Sequence, residues 1–518
     1  MLFLLYCIIF LWYACESVVA MRQGPVKRLP TMRKLKSEEL KIEERERTQR
    51  LLSFIDASPE PFHVVDTTIK QLKSAGFVRI NEEDSWKKRL QPGGKYYFTR
   101  NGSSIIAFVI GGLFVPGNGY KLIGTHVDSP TLKIKPRSKR SASSGLLQLN
   151  VETYGGGLWN TWFDRDLSIA GRVLVQNKDK STFEYKLVKI VRPVLRIPSL
   201  CIHLRTPEER EAFKVNKEDH LVPILTEEVT EKLTQSQGEE EHESNQWASE
   251  QQPELLTLLA NELKCDVLDI ADFELSLYDV QPAAVGGMHD EFVCSSRLDN
   301  LASTFVALEA IQDYGSSLAV SEDTDVSVVA CFDHEEVGSV SNPGAGSTVI
   351  RDAVSRIAGA FSEDGGEDCF KRGLGKSFAI SMDMAHAIHP NFAAKHEKSH
   401  APRMNSGVVI KQNSNQRYAT SGLTGFLARE MARRCGVPIQ EFVVRNDCSC
   451  GSTIGPTISA VVGIRCVDLG MPMLSMHSLR EMSGASDLTF AKKLFDFFYS
   501  PEWRKLDSQL VVDSERHN

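Results

Sequence analysis

The chain has 518 residues, of which 25% are charged and 42% hydrophobic, and its formal net charge at pH 7 is -7. This length predicts at least two domains, and the composition is typical of a globular protein. A pI near 6.1 predicts no extended basic surface, so we expect no nucleic-acid partner. The 11 cysteines include no CxxC pair, which argues against a disulfide framework or a structural zinc site and favours a reducing compartment.

Residues 1–45 combine an apolar leader with a basic lead-in. Residues 2–14 are apolar, and residues 18–20 resemble the small-residue cleavage site of a signal peptide. The apolar stretch is too short for a membrane span, so we expect no stable membrane partner. We predict a cytoplasmic protein because the cysteines are scattered; secretion is the alternative if the leader, residues 1–20, is functional.

Two predicted elements and a polar pair stand out in the first part of the chain. The pattern predicts an amphipathic helix over residues 62–76 and a hairpin that turns at Asn101-Gly102. A predicted strand then leads into His126 and Asp128. A metal-ligating histidine usually donates its second ring N–H to a carboxylate or a carbonyl, and Asp128 could accept it. A hydrogen-bonded pair at the surface is the alternative interpretation.

Between about residues 131 and 286 the sequence changes to alternating apolar and polar segments, which predict a β-rich insertion. Within it, the run YGGGLWNTWFDRDL begins at Tyr154, and a tight turn with aromatic packing is its simplest explanation. The stretch near residues 234–256 is acidic and low in apolar residues. That composition predicts a disordered loop.

The run VSVVACFDHEEVG, over residues 326–338, contains the most informative feature of the sequence. Its apolar and β-branched first half predicts a buried strand. Neighbouring side chains at a strand end point to opposite faces, so one of Glu335 and Glu336 could ligate a metal while the other acts as general base. For an isolated pair of glutamates, a solvated strand end is the alternative.

Strands and helices alternate on both sides of the insertion, which predicts an α/β fold. We expect an α/β/α sandwich with a mixed sheet, formed by residues 46–130 and 287–510 and split by the insertion. Residues 511–518 would be a tail.

Polar residues at predicted strand ends and helix starts form a candidate set of metal ligands. Its members are His126, Asp299, Glu336, Asp383 and His477. Ligands of open α/β sheets collect at the carboxyl ends of the strands, so we expect these side chains to converge. Two histidines and three carboxylates suit two Zn²⁺ ions with one bridging carboxylate, and Glu335 beside them predicts a two-metal hydrolase. For Asp299 alone, a helix cap is the alternative role.

The sequence resembles the aspartyl aminopeptidases, a family of dinuclear zinc exopeptidases, over about residues 47–510. The resemblance rests on the ordered motifs GTHVDSPTLKIKP, YGGGLWNTWFDRDL, SSRLDNLAS, FDHEEVGS, SMDMAHAIHPN, VIKQNSNQRYAT, CGSTIGP and SMHSLREM. It implies two zinc ions per subunit and hydrolysis of N-terminal Asp or Glu from peptides. It also implies a homo-oligomer, a dodecamer built from dimers, with residues 131–286 as the dimerisation domain.

The resemblance also implies a role for each metal ligand. His126 and Asp383 would hold one zinc, Glu336 and His477 would hold the other, and Asp299 would bridge them.

Catalytic and substrate-binding roles follow from the same resemblance. Glu335 would be the general base, and Asp128 would orient His126. The substrate contacts within one subunit would be Glu335, Asp383, His386, Lys411 and Tyr418. His203, in the insertion, would reach the active site of a neighbouring subunit.

Two other functions are considered at this stage. A broad-specificity dinuclear zinc aminopeptidase or deacylase would lack the acidic preference that Lys411 implies, since a neutral substrate side chain would leave this lysine unpaired. A non-catalytic oligomeric shell or cargo protein would be expected to have lost a ligand or the base, and all five ligands and Glu335 are present.

Overall fold

The computed structural model describes residues 38–510 except residues 178, 180, 229–245, 364 and 365. The predicted leader, most of the lead-in and the tail therefore lie outside the described residues. Residues 38–45, predicted as part of the lead-in, begin the helix Glu38–Ala57. The chain from residue 47 onward forms one compact unit.

A nine-stranded mixed sheet forms the centre of this unit. In spatial order its strands are Val78–Arg79, Lys95–Arg100, Ser104–Ile110, Val326–Phe332, Tyr120–His126, Phe378–Met382, Arg465–Gly470, Val408–Gln412 and Ile439–Val443. The fourth to seventh strands of this order are mutually parallel, so their carboxyl ends meet at one edge. The predicted hairpin at Asn101-Gly102 is confirmed, because Lys95–Arg100 and Ser104–Ile110 pair in antiparallel register across it.

Helices cover both faces of this sheet. The helices that contribute to the core on one face are Glu38–Ala57, Pro61–Ser74, Leu298–Gly315, Gly422–Cys435, Ala485–Tyr499 and Pro501–Ser508. Those on the other are Val349–Phe361, Glu367–Gly375 and Ile454–Ile458. Alternate strand residues such as Ile105 and Ile106 belong to opposite cores, which confirms the predicted α/β/α sandwich. Within the described part of the chain, no helix has the length and apolar character needed to cross a bilayer.

The insertion contains its own antiparallel sheet and a third core. In spatial order the strands are Val151–Tyr154, Thr131–Ile134, Ile270–Asp279, Leu167–Asn177 and Thr182–Lys189. A two-stranded ladder joins Leu146–Gln148 to Ile224–Glu227. The described α-helices of this region are Pro207–Glu211, Gln246–Ser249 and Pro253–Leu263. The segment is thus β-rich, as its alternation predicts.

The predicted disordered loop near residues 234–256 needs correction. Residues 234–245 lie outside the described part of the chain, but the helix Gln246–Ser249 and the start of Pro253–Leu263 fall within the predicted loop. Leu255 and Leu256 are buried in the core of the insertion. The acidic composition obscured a short apolar helix that starts at a proline, where proline is well tolerated.

A small second sheet of the α/β region is formed by short strands from residue 284 onward. Its strands, in spatial order, are Ala284–Gly286, Phe292–Ser295, Glu481–Gly484, Pro472–Leu474 and Ala385–His386. The strand Ala284–Gly286, predicted within the insertion, therefore pairs with Phe292–Ser295, which follows the insertion.

Candidate active site

The expected ligands converge at the edge where the parallel strands end. His126 closes its strand, and Asp383 directly follows the strand Phe378–Met382. Glu335 and Glu336 come just after the neighbouring strand, Val326–Phe332. Because these three strands are adjacent and parallel, their terminal side chains share one site.

Distances divide the ligands into two groups that share Asp299. Nε2 of His126 lies 3.3 Å from Oδ1 of Asp299 and 3.5 Å from Oδ1 of Asp383. Nε2 of His477 lies 3.5 Å from Oδ2 of Asp299 and 3.3 Å from Oε2 of Glu336. The two oxygens of Asp299 thus face different histidines, which is the arrangement of a bridging carboxylate. Asp299 does not cap its helix: Arg297 is the cap residue, and Asp299 has non-helical backbone angles.

Backbone carbonyls orient both histidines. Nδ1 of His126 lies 3.0 Å from the carbonyl oxygen of Asp128, and Nδ1 of His477 lies 2.9 Å from that of Gly156. A carbonyl oxygen can only accept, so each neutral ring carries its proton on Nδ1. Nε2 of each ring is therefore the nitrogen that faces the carboxylates and is available to a metal.

The donor set fits divalent metal ions. Oδ1 of Asp299 and Oε1 of Glu336 are buried and have no hydrogen-bond partner among the described residues. Buried carboxylate oxygens of this kind need a compensating positive charge. The His126–Asp299–Asp383 and Asp299–Glu336–His477 groups each bring three ligand atoms within 4.8 Å of one another. Imidazole nitrogen and carboxylate oxygen are donors that zinc accepts.

The pKa shifts of the candidate ligands show the same excess of negative charge. Burial opposes a charged His477, yet Asp299 and Glu336 raise the pKa of His477 to about 10. The pKa of His126 is likewise raised well above its ordinary value by nearby carboxylates, although burial acts against it. Burial, together with Asp299, raises the pKa of Glu336 well above its usual range.

A tight turn directs the glutamate pair into the site. The strand ends at Phe332, His334 adopts a left-handed conformation with φ 65°, and Glu335 and Glu336 begin a single 3-10 turn. The expectation that they diverge as neighbours on a strand end is therefore wrong. Burial and the charges of Asp383 and other carboxylates raise the pKa of Glu335 to about 8, although His126 opposes the shift.

The carboxylate of Asp128 holds this turn in place. It accepts the backbone N–H groups of Glu335 at 3.1 Å and Glu336 at 3.0 Å. The hydroxyl of Tyr154, from the insertion, donates to the same carboxylate at 2.6 Å. Asp128 thus orients His126 through its main chain and the glutamate turn through its side chain.

The glycine-rich run after Tyr154 approaches the ligands closely. Gly155 has φ 74°, and a β-carbon there would lie 3.2 Å from Cβ of Glu336. Gly156 supplies the carbonyl that orients His477. A tight turn therefore explains the glycines only in part, because they also let the chain pack against the candidate ligands. The sequence gives no sign of this packing.

A cavity of about 1220 Å³, measured out to its open mouth, contains most of the expected site. All the predicted site residues line it except Asp128, which lies behind the glutamate turn, and His203. His203 is exposed on the short helix Ile202–Leu204 of the insertion. Its predicted contact with a neighbouring subunit stays a prediction.

Lys411 lies on the wall of the same cavity. Its side chain is buried, and its ammonium donates to the Met384 carbonyl oxygen at 3.1 Å and lies 3.6 Å from Oδ2 of Asp383. The ammonium also sits 5.3 Å from the ring centroid of Tyr418. His386 is exposed to solvent on the same cavity.

One buried carboxylate at the site is absent from the predicted set. Glu481 accepts the backbone N–H groups of both Asp299 and His477. Burial, together with the charge of Asp299, raises the pKa of Glu481 to about 8. Its closeness to His477 in sequence is the only signal that could have identified it.

Comparison with known proteins now assigns the family. A family model described as "Aminopeptidase I zinc metalloprotease (M18)" matches residues 54–499. The chain belongs to this family. Zinc is therefore the metal to which the donor set corresponds, and the chain is a metallo-aminopeptidase. The predicted family resemblance is confirmed.

Curated relatives of the M18 chain match along nearly their whole length. A probable aspartyl aminopeptidase of Ricinus communis is 45% identical over 480 residues, which cover 89% of this chain and 96% of the relative. Aspartyl aminopeptidase 4 of Saccharomyces cerevisiae is 42% identical over 478 residues, which cover 90% and 96%.

Solved M18 structures share the fold. The cryo-EM structure of the Ape4 and Nbr1 complex matches with a TM-score of 0.86 and 44% identity, covering 92% of this chain and 90% of the other. The Saccharomyces cerevisiae mApe1 dodecamer matches with a TM-score of 0.80 and 30% identity, covering 91% and 100%.

Proposed function

We propose that this M18 enzyme removes N-terminal Asp and Glu from peptides, with two zinc ions at the His126–Asp299–Asp383 and Asp299–Glu336–His477 groups. The main support for an acidic N-terminal residue as substrate is the buried ammonium of Lys411, which lies in the same cavity as both groups. Among the described residues that line this cavity, Lys411 alone has a permanent positive charge. A substrate carboxylate is the natural partner for it, and the curated relatives carry the name aspartyl aminopeptidase.

Glu335 is the proposed general base. It lies within 4.8 Å of ligand atoms of His126 and Glu336, and Asp128 fixes its backbone. Zinc bound at the two groups would supply the Lewis acidity that polarises the scissile carbonyl. Glu335 would take a proton from the attacking water and deliver it to the leaving amine. His386 lines the same cavity, and its proposed role is to donate a hydrogen bond to the developing oxyanion.

We propose that the subunits assemble as a dodecamer built from dimers through the insertion. The solved mApe1 neighbour is a dodecamer. Leu200, Ile202 and Leu204 are exposed around His203, and such apolar exposure is typical of an interaction surface. Assembly would bury this segment and bring His203 to a neighbouring cavity. The predicted cytoplasmic location remains part of this proposal.

Matched peptides that differ only at their first residue test this function. The purified chain, with zinc added and after chelation, is incubated with peptides that begin with Asp, Glu or Leu, and with N-acetylated Asp peptides. We expect release of Asp and Glu, slow release of Leu, no cleavage of acetylated peptides and loss of activity on chelation. Equal release of Leu would favour a broad-specificity aminopeptidase, and removal of the acetyl group would favour a deacylase.

A further inference from the structure

We infer that Glu481 is a positioning residue that holds the candidate ligands Asp299 and His477 through their backbones. This inference rests on the proposed metal site. Glu481 opens the strand Glu481–Gly484 and is only 3% exposed. It does not occur among the described residues that line the substrate cavity, so it acts through the residues that it holds.

Each carboxylate oxygen of Glu481 is used by a different ligand. Oε2 accepts the N–H of Asp299 at 3.0 Å, and Oε1 accepts the N–H of His477 at 2.8 Å. Strand pairing explains how one side chain reaches both segments. Glu481 lies opposite Ser295 in an antiparallel ladder, close to Asp299, and follows His477 by one short turn. One buried side chain therefore connects two ligands from distant parts of the chain.

One of the two backbones, that of His477, has a conformation that needs such support. His477 has φ 66°, in the left-handed region that non-glycine residues rarely adopt. Asp299 has ordinary extended angles, φ −81° and ψ 104°, although it lies at the start of a helix. Unusual backbone conformations persist when surrounding contacts hold them. Loss of the carboxylate would leave the buried N–H of Asp299 and the part-buried N–H of His477 without this acceptor. Relief by backbone rotation would then move the ligand atoms.

The arrangement predicts an unequal effect on the two metal positions. Glu481 accepts hydrogen bonds from the backbones of His477 and of the shared Asp299, whereas in the described part of the chain it makes no hydrogen bond to His126 or Asp383. Mutation of a residue that orients a metal ligand typically lowers metal affinity by about 10- to 100-fold. The position that contains His477 should therefore weaken by about that factor, and the position of His126 and Asp383 should weaken less.

Glu481→Gln in the full chain tests this inference, because it preserves the side-chain length and removes one acceptor. We would measure zinc affinity by competition with a chromophoric chelator, metal-to-protein ratio after dialysis, and the visible absorption of the Co²⁺-loaded protein, which reports ligand geometry. Asp487→Asn is a matched control. Asp487 is fully buried and accepts the N–H groups of Asn405 at 2.6 Å and Gly407 at 2.9 Å, but it is not a member of either ligand group.

We expect Glu481→Gln to lose one class of bound metal by about 10- to 100-fold and to change the Co²⁺ spectrum, while Asp487→Asn retains both wild-type properties. Wild-type affinities and spectrum in Glu481→Gln would overturn the inference, as would equal metal loss in Asp487→Asn, which would indicate general destabilisation. Glu481→Asp, which keeps the charge but shortens the reach, should show the same selective loss if the Gln variant does not fold. A wild-type chain that binds no metal would instead overturn the proposed metal site.

Discussion

Replacing Lys411 by methionine tests the proposed preference for acidic N-terminal residues. The lysine side chain is 3% exposed and follows residues 408–410, which are fully buried. Its ammonium donates to the Met384 carbonyl oxygen at 3.1 Å and lies 3.6 Å from Oδ2 of Asp383. Methionine keeps the length and the apolar contacts of the stem while removing the charge, so the variant should fold.

The expected loss follows from how much of the ammonium a substrate can neutralise. Truncating one partner of a buried, hydrogen-bonded charge pair costs roughly 2–5 kcal/mol. Lys411 already has protein partners in Met384 and Asp383, so the substrate carboxylate supplies only part of its compensation. The lower part of the range, about 2–3 kcal/mol, then applies, which corresponds to about a 30- to 160-fold lower kcat/KM for acidic substrates.

The assay compares kcat/KM for matched peptides that begin with Asp, Glu and Leu, with the zinc content of each sample measured alongside. Lys492→Met is the control, because Lys492 is also buried and pairs with Asp313 at 2.8 Å and Asp496 at 2.7 Å, and it is not among the described residues of the cavity. We expect Lys411→Met to lose selectivity with little change for Leu, and Lys492→Met to keep it. A Lys411→Met enzyme with the wild-type ratio of acidic to neutral cleavage would refute the reasoning.

Three further predictions concern the base, the protons and the assembly. Glu335→Gln should nearly abolish turnover with unchanged zinc content, because a base does not ligate; loss of about one metal per subunit would make it a ligand. In the folded protein the pKa of Glu335 is about 8 and that of His477 about 10, above the ordinary values of 4.5 and 6.5. Protonation of these two groups therefore stabilises the folded protein without zinc. This stabilisation is fully present below the ordinary pKa values and is lost as pH rises through the raised ones. Calorimetry of the chain without zinc should therefore show a melting temperature that falls as pH rises from about 5 to 9. Zinc binding should release protons, which is measurable by titration in buffers of different ionisation enthalpy. A melting temperature independent of pH, together with no proton release, would contradict this prediction. His203→Ala should lower turnover while zinc content and particle size by light scattering stay constant, and an unchanged rate would show that His203 does not reach a neighbouring site.

Long elements could be predicted from the sequence because their patterns are local. The helix Pro61–Ser74 has an apolar stripe, and the strand Val326–Phe332 is a continuous apolar run bounded by polar residues. The small second sheet could not be predicted in this way. Its strands Ala284–Gly286 and Pro472–Leu474 have three residues each, too few to show a period, and their pairing depends on contacts between distant segments.

The candidate ligands also differ in how well the sequence predicts their positions. Asp383 and His126 could be placed because they end strands of a parallel sheet, whose topology brings such residues together. His477 lies in a turn between two short strands, so the expectation that each candidate ligand ends a strand or starts a helix fails for this residue. The glutamate pair was selected for a wrong local reason, since a left-handed residue and a 3-10 turn, not strand alternation, set its direction.

The contacts of Asp128 and Glu481 with the backbone of the site could not be predicted from the sequence. Both carboxylates accept backbone N–H groups, which every non-proline residue carries. These two carboxylates also add to the negative charge of the site. The acidic side chains at or behind the site are Asp128, Asp299, Glu335, Glu336, Asp383 and Glu481. Two histidines and Lys411 cannot neutralise all of them. Burial, together with this excess of negative charge, raises the pKa values of Glu335 and Glu481 to about 8, which favours protons on these carboxyl groups when no cation is bound. Bound cations would replace those protons, so the supports that shape the ligand groups also strengthen the demand for metal.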